Sequence, residues 1–233
     1  MNREEFIKEL ANLNINITDK QLKQLDIYYH FLVEENKKYN LTNITEESNV
    51  YLKHFYDSLT IVKSISLSDQ YICDVGTGAG FPGMVLKIIF PNIKIDLLDA
   101  TAKKCNFLKQ LINKLELKNI NVINDRAELY SRNNREKYDI VTSRAVAPLK
   151  HLLEYSIPLL KLGGKFIALK SNINDELQNM DNYYKKLSLK DEKIIEFKLP
   201  NELSNRSIYV ITKKGHTPIL YPRPYSQIKK KDI

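Results

Sequence analysis

Between Tyr71 and Gly83 the chain reads Y-I-C-D-V-G-T-G-A-G-F-P-G, and this stretch restricts the possible folds more than any other. Ile72, Cys73 and Val75 make a short apolar run of strand character, with Asp74 at its carboxyl end. Gly76, Gly78 and Gly80 follow in alternation, and a helical pattern opens at Phe81, Pro82 and Gly83. Glycine lets the backbone bend sharply and approach a ligand closely, because no Cβ intervenes. The helix start that follows offers unpaired N–H groups to a carboxylate or phosphate.

A dinucleotide fingerprint G-x-G-x-x-G begun at Gly76 fails at Phe81, although one begun at Gly78 does end on Gly83. Asp74 weighs against a pyrophosphate, since an anion two residues before the first glycine suits a ligand with an ammonium group. S-adenosylmethionine carries such a group, and D-x-G-x-G-x-G resembles the first motif of the Rossmann-like methyltransferases. A purely structural glycine turn is the alternative.

With 233 residues, 43% of them hydrophobic, the chain can form one medium-sized domain, or a domain with an appendage, around a sizeable core. Cys73 and Cys105 make neither a disulfide framework nor a metal site, and buried thiols are expected at both. The opening Met1-Asn2-Arg3-Glu4-Glu5 has no signal-peptide character and no apolar run reaches membrane-spanning length, so a cytoplasmic protein is expected. A net charge of +8 fits a polyanionic partner. Only seven of the 36 basic residues are arginine, however, and nucleotide bias in a genome can produce such a lysine load by itself.

Residues 3–37 read as helix with an interruption near Asn12–Asn16. Thr18 and Gln21 form a capping box that opens the stripe Leu22, Leu25, Tyr28, Tyr29, Leu32. A polar connector, Lys37 to Ile44, leads to a further helix from Ser48 to about Val62 that carries His54, Asp57 and Ser58. After the glycine loop, strands and helices alternate. Strands are expected at 93–98, 120–123, 138–142 and 165–169, with helices at 103–115 and 149–160 and a stop at Gly163-Gly164. A helix at 175–187 and two strands near 193–197 and 207–212 close the pattern. Repeated βα units imply a mostly parallel sheet with helices on both faces. Ligands of such sheets bind beyond the carboxyl ends of the strands, which singles out Asp74 with its glycines, Asp99, Asp125–Glu128 and Ser143–Arg144. Asp99 lies where an acid can take both ribose hydroxyls of an adenosine ligand, or else cap the next helix.

Taken in order, the motifs resemble the bacterial ribosomal RNA small-subunit methyltransferase G family, also called the glucose-inhibited division protein B family. The matching residues are Tyr39-Asn40-Leu41-Thr42, His54-x-x-Asp57-Ser58, Asp74 through Gly83, Asp99 with Lys103-Lys104, Arg126-Ala127-Glu128, Ser143-Arg144-Ala145, Lys170, Arg206 and Tyr221-Pro222-Arg223. At the tail the chain departs from the family pattern, with Pro224-Tyr225-Ser226 where a basic Gly-Thr-Pro-containing segment usually stands.

The resemblance implies a Rossmann-like class I methyltransferase fold: three layers, a mostly parallel seven-stranded sheet and an N-terminal helical extension. Residues 1–66 would be that extension, 67–215 the core and 216–233 a basic tail. The implied reaction moves a methyl group from S-adenosylmethionine to N7 of a guanine in small-subunit ribosomal RNA, free or in a ribosomal particle. By the resemblance Gly76, Phe81, Ala127, Glu128 and Arg144 would line the cofactor site, to which the reading of the strand ends and glycine loop adds Asp74, Gly78 and Asp99.

Guanine N7 has a lone pair and no proton, so attack on a sulfonium methyl needs no general base, and positioning with exclusion of water can carry the reaction. Asn40 and Arg144 are the candidates for positioning at the reacting centre, and no catalytic base and no metal are expected. Lys37, Asn40, His54, Lys170, Arg206 and Arg223 are candidate RNA contacts. His54 and Asp57 share one helical face and are as readily structural. Lys229-Lys230-Lys231 reads as a disordered basic tail with non-specific RNA affinity. A monomer is expected. A non-catalytic RNA-binding assembly factor, a small-molecule methyltransferase and a nicotinamide-dependent oxidoreductase stay open as alternatives.

Overall fold

The computed structural model describes residues 1–202 and 205–233. Seven strands form one sheet: β1 Tyr71–Val75, β2 Lys94–Asp99, β3 Ile120–Asn124, β4 Tyr138–Arg144, β5 Leu160–Lys170, β6 Leu189–Lys198 and β7 Asn205–Lys213. Their spatial order is β3-β2-β1-β4-β5-β7-β6. The pairs from β3 through β5 are parallel, and β7 is antiparallel to both β5 and β6. This is the mostly parallel Rossmann-like sheet expected from the sequence. The chain winds outward from β1 through β2 to β3, then returns to lay β4 on the other side of β1. That reversal opens a crevice beyond the carboxyl ends of β1 and β4, the usual ligand position in such sheets.

Each face of the sheet has its own apolar core. Ile72, Ile95, Leu97, Ile140 and Ile167 face one cluster, shared with the N-terminal helices, and Cys73, Val75, Leu98, Val141, Phe166 and Ala168 face the other. Both cysteines are buried free thiols.

The N-terminal helices α1 (Arg3–Asn12) and α2 (Asp19–Tyr39) are part of the first core. The capping box of α2 forms, with Gln21 bonded to the backbone of Thr18. The same Gln21 amide donates to the carbonyls of Ile88 and Ile89, and Gln24 donates to Leu115. These carbonyls end the helices Gly83–Ile89 and Ala102–Lys114, so α2 satisfies acceptors that a helix end leaves open. Phe31 of α2 stacks on Phe107 at 5.3 Å.

Three segments differ from the sequence expectation. The helix begun at Leu149 ends at Ser156, and a tight turn Ile157–Leu159 with Pro158 leads directly into β5. Gly163, at φ +77, lies inside β5, where the register slips, rather than at a helix end. Residues 175–187 are not one helix: a turn at Asn174–Glu176 precedes the helix Asp181–Lys186, because Glu176 turns away to bond Lys170 and the Leu149 N–H. The tail is ordered, contrary to its charge run. A short helix Tyr225–Ile228 forms, and Tyr221, Ile228 and Ile233 are buried. Among the described residues no helix is long and apolar enough to cross a membrane.

Candidate active site

Four of the chain's seven glycines lie between positions 76 and 83, and they have different tasks. Gly76, Gly78 and Gly80 have φ of +70, +61 and +105, the left-handed region that favours glycine. A Cβ on Gly80 would meet the Tyr28 hydroxyl at 2.6 Å, and one on Gly83 would meet Asp74 Oδ2 at 2.7 Å. These two are packed from behind. At Gly78 a Cβ would meet only the Gly76 carbonyl, at 3.9 Å, so this glycine faces open space. The loop is braced by α2: Tyr28 donates to the Ala79 carbonyl at 2.5 Å and stacks on Phe81 at 5.4 Å.

Over the loop lies a cleft of about 520 Å³ lined by Gly76, Gly78, Phe81, Asp99, Lys104, His54, Arg144 and the segment Leu41–Asn43. Beside it, past Gly76, Asp99 and Val146, is a smaller cavity of about 210 Å³ with Leu98, Ala127, Glu128, Tyr155 and Tyr225 in its walls. Asp99 belongs to both. Its Oδ2 accepts from the Gly78 N–H at 3.0 Å and its Oδ1 from the Thr101 N–H at 2.8 Å. Each oxygen keeps a lone pair for a further donor, as a ribose diol requires. Glu128, buried at the start of the helix Ala127–Asn133, is held by Arg126 at 2.5 Å.

A third cavity, about 240 Å³, shares His54, Arg144 and Ala145 with the cleft. Lys53, Arg144, Lys170 and Arg206 line it together with Asp57, Ile44 and Phe197. The segment carrying His54 and Asp57 is not a plain α-helix. Tyr51–Tyr56 is wound as a π-helix, a form often found at functional sites. Within it the Lys53 carbonyl accepts from Arg144 Nη1 at 2.9 Å. Asp57 accepts from Arg144 Nη1 at 3.1 Å and from Arg206 Nε at 3.2 Å, so one buried carboxylate gathers the ends of β4 and β7.

The protonation of His54 follows from its neighbours. Arg144 Nη2 lies 3.1 Å from Nδ1, and a guanidinium can only donate, so Nδ1 is the acceptor. The proton then sits on Nε2 and is given to Thr42 Oγ1 at 2.8 Å. In this tautomer the 3.2 Å approach of Nδ1 to the Lys53 carbonyl is a contact and not a bond. Burial and the Arg144 charge push the imidazole down to about 3, so His54 is neutral near pH 7. Its ring stacks on Phe81 at 4.3 Å, and the Arg144 guanidinium lies 5.0 Å from the centre of the same ring.

The sheet thus brings Gly76, Gly78, Phe81, Asp99 and Arg144 to one cleft, and Ala127 and Glu128 to the cavity beside it. His54, Arg144, Lys170 and Arg206 meet in the third. Four expected site residues lie elsewhere. Asp74 is fully buried beneath the loop, where Oδ2 accepts from Thr77 Oγ1 and the Gly83 N–H, so direct contact with a ligand ammonium is ruled out in this conformation. Asn40 is exposed and ends α2 in a left-handed cap (φ +49), while Asn43 is the asparagine in the cleft wall. Lys37 is on the exposed last turn of α2, away from the cleft. Arg223 is committed to Glu154 through Nε and Nη2 at 2.8 and 2.7 Å, which makes it an anchor of the tail rather than a phosphate contact. Lys170 keeps its place in the cavity wall but is paired with Glu176 at 2.8 Å. Thr42, Asn43, Val146, Tyr155 and Tyr225 also line these spaces, and of these only Thr42 carries a sequence signal, through its Asn-Leu-Thr motif.

Residues 21–208 match the family described as rRNA small subunit methyltransferase G. The chain belongs to this family. It is 46% identical over 227 residues to the ribosomal RNA small subunit methyltransferase G of Listeria monocytogenes serotype 4b, covering 96% of this chain and 95% of the relative. The protein of the same name from Staphylococcus saprophyticus is 47% identical over 219 residues, covering 93% and 92%. Among solved structures, a SAM dependent methyltransferase from Aquifex aeolicus superposes with a TM-score of 0.52 at 16% identity, over 74% of this chain and 97% of that one. This last likeness shows the fold alone. The family is one of S-adenosylmethionine-dependent methyltransferases, and the site fits that cofactor on its own terms. Gly78 leaves a cradle that a side chain would fill, and the neighbouring cavity joins apolar walls to three carboxylates, Asp99, Asp125 and Glu128, which can take the hydroxyls and amine of an adenosine.

Proposed function

We infer that this chain methylates N7 of a guanine in small-subunit ribosomal RNA. The observation that carries the reading is the shared wall: His54, Arg144 and Ala145 border both the cleft over the glycine loop and the cation-lined cavity behind it. Two reactants bound in the two spaces would meet across Arg144. Gly76, Gly78, Phe81 and Asp99 would hold the cofactor with Ala127 and Glu128, and when bound it supplies an electrophilic methyl on sulfur. Four cations and Asp57 line the cation-lined cavity, and with Glu176 on Lys170, Glu202 on Lys53 and a neutral His54 a positive balance remains, which suits a base that arrives with its phosphates.

Arg144 has five N–H donors. Two on Nη1 are taken by Lys53 and Asp57 and one on Nη2 by His54, which leaves two to meet the O6 acceptor of a guanine. Because Asp57, His54 and the Lys53 carbonyl fix the guanidinium, these donors are aimed before the substrate arrives. Phe197 and Ile44 give the base an apolar surface to lie against. N7 needs no base to deprotonate it, and the buried, neutral His54 is accordingly a positioning residue. The N7 edge is poorly accessible in an A-form helix, so the target guanine is unpaired or turned out of its stack.

The test is transfer of label from methyl-labelled S-adenosylmethionine to small ribosomal subunits lacking native methylation, followed by nucleoside analysis. Labelled 7-methylguanosine is the expected product. Label in any other nucleoside, or none despite tight cofactor binding, would overturn the assignment.

A further inference from the structure

The tail beyond β7 is fastened to the core with unusual thoroughness. Arg132 Nε and Nη2 donate to the Pro222 carbonyl at 3.1 and 3.0 Å, and Arg135 donates to the Tyr221 and Thr217 carbonyls. Arg223 forms its bidentate pair with Glu154, a residue with no exposed surface, and also donates to the Lys231 carbonyl. Ile228 and Ile233 are buried against the second core. A tail that served only as a mobile basic brush would need none of these attachments.

Their combined effect is to set Tyr225 at the cavity that holds Asp99, Ala127 and Glu128. The Arg126 guanidinium lies 4.7 Å from the centre of the Tyr225 ring and is itself fixed by Glu128. Tyr225 is 37% exposed, so part of its ring remains available. Leu98, Ala100, Val146 and Tyr155 give an apolar and aromatic side to this partly open enclosure of about 210 Å³, whose rim carries Asp99, Asp125, Arg126 and Glu128. A planar base with polar edges is the kind of group such an enclosure takes, because every base offers a π face to an aromatic ring.

We propose that Tyr225, outside the residues 21–208 matched to the family, is a cofactor-binding residue whose ring forms a wall for the adenine of S-adenosylmethionine. This deepens the proposed function, since it rests on the adenosine lying between Asp99 and Glu128. The anchored tail is then a part of the cofactor site, and the three arginines that hold it are positioning residues for Tyr225.

Calorimetric titration with S-adenosylmethionine and with adenosine tests this. Tyr225→Ala should weaken both by about tenfold, the scale of losing one base–aromatic stack. Tyr225→Phe should stay within about twofold of the parent, because the ring and not the hydroxyl is the contact. The Km for small subunits at saturating cofactor should not move. The chain contains no tryptophan, so Tyr225→Trp supplies a single tryptophan, excitable apart from the tyrosines, whose emission should change on adding adenosine. Unaltered cofactor and adenosine affinity in Tyr225→Ala, with silent fluorescence in Tyr225→Trp, would overturn the proposal. So would a raised subunit Km with cofactor affinity intact, which would make Tyr225 an RNA contact. If the parent chain failed to bind adenosine and S-adenosylmethionine at all, the placement of the cofactor would fall instead.

Discussion

Asp74 and Asp96 lie on adjacent strands one rung apart, on opposite faces of the same sheet, and both are buried. Asp96 Oδ2 receives Tyr71, Tyr138 and Lys137 at 2.7, 2.6 and 3.1 Å, and its Oδ1 receives Asn121 at 2.8 Å. Burial pushes its carboxyl up, but these four donors together hold it below the ordinary range. Asp74 has two donors on Oδ2 and none on Oδ1. There burial wins and the carboxyl is pushed up to about 6, although Thr77, Gly83 and Arg144 oppose it. Asp96 has more donors, one of them the Lys137 ammonium, and Asp74 lies deeper, and both differences separate the two. Asp96 closes a finished part of the structure. Asp74 is tied to the glycine loop through Thr77 and Gly83, while the N–H groups of Gly76, Thr77, Gly78, Gly80 and Phe81 are bonded to other acceptors.

The largest expected effect is on the finished side. Asp96→Ala leaves Lys137 and two tyrosine hydroxyls without their acceptor, which costs about 3 to 5 kcal/mol of stability, toward the lower value because Lys137 is partly solvated. Urea unfolding reads this, and a loss below about 1 kcal/mol would show that the cluster is not a unit. Cofactor affinity of the folded variant should be unchanged.

Asp74 gives a pH signature of the opposite kind. With its folded value raised to about 6 from 3.8, the native state holds more protons than the unfolded chain between those pH values. Its contribution is therefore favourable below about pH 4 and is lost as pH rises through about 6, by on the order of 3 kcal/mol. Melting temperatures of Asp74→Asn and parent, compared from pH 4 to 7, should converge at the acid end and diverge toward neutrality, with the variant the more stable. Parallel curves would mean that Asp74 is not the titrating group.

Tyr28→Phe should have the smallest effect. It keeps the ring on Phe81 but removes the bond to the Ala79 carbonyl, so the loop loses one brace at about 1 kcal/mol, or about fivefold in cofactor affinity. Parent-like affinity would show that the N-terminal helices are not what holds the loop.

Local patterns were legible in the sequence. The Thr18–Gln21 box, the glycine loop and most strand positions depend on residues a few positions apart, and each is found where its spacing puts it. Partners distant in the chain were not legible. Arg223 and Lys170 resemble phosphate contacts until Glu154 and Glu176 are placed beside them. The lysine run at 229–231 looks like a free tail because its anchors, Arg132 and Arg135, lie more than 80 residues away. Gly163-Gly164 has the look of a helix stop, but Pro158 has already turned the chain into β5. That Asp74 faces the helix at Gly83 and not the cleft is a matter of side-chain direction, which no motif carries.

The most direct test of the account is Gly78→Asp. A left-handed φ of +61 is tolerable for aspartate, so the fold should survive at a cost of about 1 kcal/mol while the carboxylate fills the open space above the loop. Affinity for S-adenosylmethionine should fall by at least about a hundredfold, with small-subunit binding retained in the separate cation-lined cavity. Cofactor affinity within about twofold of the parent, in a variant that still melts cooperatively, would contradict the placement of the cofactor over this loop.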